Sequence, residues 1–108
     1  MDAITDKAAI KAILDDYDWR EAVNYASWNA DEVAEILAME EGENDGNNWL
    51  MVVKLEDGRF SFLSAGCDYT GWDCQAGGSS DEKGSLEELI RMGMGQEDRD
   101  RLGYKIDA

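Results

Sequence analysis

The sequence predicts an α+β fold: three N-terminal helices, a small antiparallel β-hairpin or three-stranded sheet, and one or two C-terminal helices. Three observations predict it. Apolar residues up to position 41 recur at helical spacing, residues 49–65 form two strand-like runs around an Asp-Gly pair, and a capping box at Ser85 opens a last helical stretch. The 108 residues fit one domain, 1–108. It divides into an acidic helical part at 1–41, a β-hairpin and cysteine loop at 49–76, and closing helices at 85–103.

Residues 5–41 read as helical. Ile10, Ile13, Leu14 and Tyr17 form an apolar stripe at i, i+3, i+4 and i+7, with Thr5 or Asp6 as the cap. Trp19, Ala22, Val23 and Ala26 form a second stripe, broken at Ser27-Trp28-Asn29. Asn29 and Glu32 have the form of a capping box. It predicts a third helix with Val33, Ile36 and Leu37 inward, ending near Glu41-Gly42.

After a polar loop, Trp49–Leu55 and Phe60–Ala65 read as strands joined by Glu56-Asp57-Gly58-Arg59. Asp-Gly suits a type I′ turn, in which both central residues have positive φ, with Glu56 and Arg59 flanking as an opposite-charge pair. Trp49, Met51, Val53 and Leu55 share one face, yet Leu50 and Val52 make the other face apolar too. Such a strand belongs in the middle of a sheet or under helices. Gly66–Ser80 offers a third short strand followed by a flexible Gly/Ser turn. Ser85 with Glu88 then caps a helix burying Leu86, Leu89 and Ile90, and a last helix over 96–102 stops at Gly103. Trp19, Trp28 and Trp49 fit core stripes, and Met92 and Met94 read as packing residues.

The formal net charge is −15, with 25 acidic residues, 10 basic residues and no histidine. Residues 1–48 hold 13 acidic and 3 basic residues, a net of −10, and residues 49–108 hold 12 and 7, a net of −5. Four Trp, four Tyr and two Phe separate the chain from aromatic-poor disordered tails. A body this negative repels nucleic acid and anionic membranes and attracts basic surfaces. Solubility alone calls for mixed signs, whereas the first half is nearly all acid. DNA carries about one negative charge per 1.7 Å of duplex axis, and carboxylates along a helix face approximate such a row.

Motifs for catalysis and metal binding are missing. Asp15-Asp16-Tyr17-Asp18 lacks the central glycine and distal glutamate of a calcium loop. No Walker loop, serine elbow or dinucleotide fingerprint occurs, and a cysteine nucleophile would have no histidine base. Cys67 and Cys74, separated by six residues, are expected as reduced thiols. Oxidation would permit a disulfide, and two thiolates without histidine make an incomplete zinc site. No enzyme activity, cofactor or metal is expected. No stretch approaches a membrane span or a signal peptide, so a cytoplasmic protein is expected.

The Cys67–Cys74 block, the Gly/Ser turn after it and the Leu-Glu-Glu-Leu-Ile-Arg helix resemble small acidic proteins of phages and mobile elements, over residues 49–103. Small size with extreme acidity also resembles DNA-mimicking anti-restriction and anti-CRISPR inhibitors. That resemblance implies a stoichiometric blocker of a nucleic-acid-binding machine, acting in the host cytoplasm if phage-encoded. The expected partner is a basic, nucleic-acid-binding protein, with no direct binding to nucleic acid or membrane. The residues expected to meet it are Asp15, Asp16, Asp18, Asp31, Glu32, Glu35, Glu40, Glu41 and Glu43. Tyr69 and Trp72 join them if their loop is a contact surface rather than a cover for the sheet edge. An immunity protein for a nuclease toxin and an accessory phage protein remain alternatives.

Overall fold

The computed structural model describes residues 2–43, 47–67 and 75–105. The first two helices follow the expected stripes. Asp6 caps α1 (Lys7–Leu14) by accepting from the Ala9 N–H at 3.2 Å, and Ile10 and Leu14 are buried beneath it. The backbone carbonyl of Asp16 then takes the first turn of α2 (Tyr17–Tyr25), which buries Trp19 and Ala22.

The expected third helix is a strand. The Asn29/Glu32 capping box forms, but it opens only a single 3-10 turn, Ala30–Glu32, before β1 (Val33–Glu40). β2 (Trp49–Leu55), β3 (Phe60–Cys67) and β4 (Gln75–Lys83) complete a four-stranded antiparallel sheet in the order β1-β2-β3-β4. β4 uses the Gly77-Gly78-Ser79-Ser80 segment expected to be a turn. Its composition disfavours strand, so pairing with β3 decides the matter. The sheet therefore has four strands where two or three were expected, and the N-terminal part has two helices where three were expected. Of the Gly66–Ser80 stretch in which a third strand was expected, residues 68–74 lie outside the described residues.

The β2–β3 hairpin forms where expected, with different turn chemistry. The Gly58 N–H donates to Leu55 C=O at 3.0 Å and the Leu55 N–H to Arg59 C=O at 2.8 Å, so the loop has three residues. Gly58 sits at φ 93°, the left-handed position that such a loop needs, and this replaces the two-residue turn. Arg59 pairs with Asp57 at 2.8 Å and with Glu82 at 2.6 Å rather than with Glu56, which pairs with Lys7 at 2.6 Å.

α3 (Leu86–Met92) starts at Ser85, whose Oγ accepts from the Glu88 N–H at 3.1 Å, and α4 (Gln96–Leu102) stops at Gly103, as expected. The α1–α2 pair and the α3–α4 pair cover opposite faces of the sheet. Trp49, Met51, Val53 and Leu55 pack toward α1 and α2 with Ile10, Leu14, Trp19 and Trp28. Leu50, Val52 and Phe62 pack toward Leu89 and Met94 on the other side. The two-faced apolar pattern of β2 thus reflects its position inside the sheet and between helix layers. Met94 is buried as expected, but Met92 is 71% exposed and does not pack.

One buried polar contact ties the layers together. Trp28 Nε1 donates to Ser61 Oγ at 3.0 Å, and both residues are buried. Ser61→Ala leaves that indole N–H without its acceptor, so a loss of about 1–3 kcal/mol in a urea titration is expected.

Candidate functional site

α1 and β1 run side by side in the same direction, which gives the acidic residues two separate destinations. At the start of both elements, Lys7 Nζ donates to Asp31 C=O at 2.9 Å and Val33 C=O at 2.8 Å. At their far ends, Ile13 and Asp16 line one cavity with Met39 and Glu41.

The first end gathers cations. Lys7 meets Glu56, Lys11 meets Asp31 at 3.3 Å, and Arg59 bridges Asp57 and Glu82. Glu82 also accepts from Ser27 Oγ. Hydrogen bonds from the Arg59 backbone and side chain hold the Asp57 carboxyl below the usual range. Glu32 closes its capping box on the Asn29 N–H at 2.8 Å. Asp31 and Glu32, both expected to face a partner, are therefore occupied here.

The second end gathers acids. Asp15 caps the C-terminus of α1, Asp16 follows it, Glu40 ends β1, and Glu41 and Glu43 continue into the β1–β2 connection. All five are exposed. Among the described residues Asp15, Glu40, Glu41 and Glu43 enter no ion pair. Asp15 also stands at the negative end of the α1 dipole, a position that disfavours an anion. Two of the five, Asp16 and Glu41, line a concavity of about 300 Å³ together with Ile13, Trp19, Met39 and Trp49.

Glu35 belongs to neither end. It lies midway along β1, opposite Lys54, and is half-buried. The acidic row expected along the helical part is thus replaced by a neutralised end, a strand position and an exposed acidic end. Asp18 lies within α2, but its side chain is outside the described residues, as are Tyr69, Trp72, Cys74 and the state of both thiols.

Arg101 holds the connection that carries Glu41 and Glu43. Its guanidinium donates to Asn48 C=O at 2.7 Å and to Glu41 C=O at 3.1 Å. This cation serves backbone carbonyls and leaves the nearby carboxylates uncompensated by a contact. A charge count cannot reveal this role, because the pairing spans 60 positions. Gly42 makes the tight connection possible: a Cβ there would come within 2.4 Å of Asn47 O and 2.7 Å of the Trp49 ring.

Beside Arg101, burial raises the Asp98 carboxyl above its usual range, with Arg101 opposing and Glu97 adding to the shift. The folded state therefore binds a proton more readily than the unfolded chain, and stability falls as pH rises through the raised value. Asp98→Asn is expected to stabilise the fold at neutral pH. Thermal melts should show that gain fading once pH drops below the carboxylate range.

Among the described residues no group of three or more Cys, Asp or Glu is placed to hold a metal ion, and no helix is long and apolar enough to cross a membrane. Comparison with known proteins finds no matching family model, no matching curated protein and no matching solved structure.

Proposed function

We propose that this chain is an acidic inhibitor, without chemistry of its own, that occupies the basic nucleic-acid site of a host defence or DNA-processing protein. The observation that carries this reading is the acidic end: Asp15, Asp16, Glu40, Glu41 and Glu43 converge there, while Lys7, Lys11 and Arg59 pair with acids at the opposite end. Carboxylates closer together than the Debye length of about 10 Å at 0.1 M salt act on a partner as one field. A groove built for phosphates supplies the complementary field, so encounter is steered and weakens with salt. The cost of keeping an acid at the α1 C-terminus favours a use for it beyond solubility.

Competition tests the reading. The immobilised chain is expected to capture a basic protein from host lysate at about 50 mM salt, to lose it at about 500 mM, and to release it when duplex DNA is added. Capture that duplex DNA and RNA both fail to displace would end the proposal.

A further inference from the structure

We infer that the outer edge of β1 around Met39 accepts an added strand from the partner, an extended segment in which apolar residues alternate with Lys or Arg. Alternation along β1 places the backbone groups of Val33, Ile36, Met39 and Glu41 on the side away from β2. Three of these four positions are already engaged. Val33 C=O accepts from Lys7, Ile36 exchanges two 2.9 Å bonds with Ile4, and Glu41 C=O accepts from Arg101. Among the described residues no bridge, loop or side-chain hydrogen bond outside the strand ladder takes the N–H or C=O of Met39. An edge strand left open in this way is a template for pairing.

The sides of this opening select what pairs. On the α1 side lies the concavity of Ile13, Trp19 and Trp49. On the α4 side a second hollow of about 260 Å³ is lined by Leu37, Leu102 and Tyr104, with Glu40 beside them. Met39 separates the two. An added strand directs successive side chains to opposite faces, so one set enters the tryptophan concavity and the other reaches the Glu40 side. Main-chain bonds supply affinity there, and the unpaired Asp15, Glu40, Glu41 and Glu43 require the incoming segment to be basic. This inference rests on the inhibitor reading only for the charge of the partner.

A capped peptide of alternating Val and Lys tests it on the intact chain. Its residue opposite Met39 shares the tryptophan face, so a Val is expected there with its N–H on Met39. N-methylation of the Val amides is expected to weaken binding about tenfold or more, since it removes those bonds, whereas N-methylation of the Lys amides leaves binding intact. Hydrogen exchange at the Met39 amide should slow when the parent peptide binds, with no change at Ile36. Binding indifferent to both methylation patterns, or an unprotected Met39 amide, overturns strand addition. Displacement of the captured partner by duplex DNA without this edge dependence would leave the inhibitor reading standing alone. Edge-dependent peptide binding without displacement by DNA would remove the nucleic-acid-site target and keep the edge.

Discussion

Converting Asp15, Asp16, Glu40, Glu41 and Glu43 together to their amides is expected to weaken capture of the DNA-displaceable partner about 100-fold at low salt. A protein that makes six to ten phosphate contacts loses about 10³–10⁵ in affinity over a fourfold rise in salt, and five carboxylates standing in for phosphates command a smaller share. The fold should suffer little, the cost being confined to the contact that Asp16 makes. None of the five side chains is buried, and removal of the anion at the α1 C-terminus is worth about 0.3–1 kcal/mol in the favourable direction. The control is the matching change at Asp31 and Glu32, which already serve Lys11 and the Asn29 cap. That pair should lower the melting temperature and leave capture nearly unchanged. Equal loss of capture from both variants would mean that bulk charge, and not the acidic end, draws the partner.

The second large effect concerns β1. Ile36→Ala is expected to cost about 2–5 kcal/mol, because Ile36 is fully buried beneath α1 and α2. That is a large share of the roughly 5–15 kcal/mol a domain commands. Leu37→Ala is expected to cost much less, since Leu37 is half-buried on the opposite face, toward α3 and α4. Urea midpoints with an unchanged slope would measure both. Similar costs at the two positions would fit a helix with both residues inward, and would contradict the strand.

That segment also shows what a sequence can conceal. The spacing of Val33, Ile36 and Met39 is three residues, close to a helical repeat, yet all three pack on the same face of a strand. Irregularities between Val33 and Glu35 and between Ile36 and Ala38 each insert an extra residue, stretching the period of two to three. Ala34, Leu37, Ala38 and Met39 are good helix formers, and the Asn29 cap is real, so every local signal agreed on the wrong element. What overrode them is tertiary: the side of β2 facing β1 would otherwise hold buried backbone groups without partners. By contrast β2 and β3 were legible, because Trp49–Leu55 is a short, almost wholly apolar run closed by turn residues and Gly58 marks the turn. The helices α1, α3 and α4 were legible from Asp6, Ser85 and Gly103.

The candidate site was legible in kind and not in place. Composition identified an acidic surface in the first half of the chain, and Asp15, Asp16, Glu40, Glu41 and Glu43 belong to it. Their separation from Asp31, Glu32 and Glu35 depends on which cations reach which end, through pairs such as Lys7–Glu56 that no local pattern announces. The open Met39 edge was hidden for the same reason that β1 was.

The strands lie side by side in the order in which they occur along the chain. Each can therefore pair with its predecessor soon after it emerges during synthesis, at about 5–20 residues per second, without waiting for a remote segment. One closure is different: α4 comes back to β1, and Arg101 fastens the Glu41 and Asn48 carbonyls. Until that helix has been made, the connection bearing Glu41 and Glu43 has lost its clasp and the Leu37 side of β1 lies bare. A nascent chain would thus finish most of its sheet while still unable to present its acidic end. The connection at that end is fastened in one late step, by the clasp of Arg101 on the Glu41 and Asn48 carbonyls.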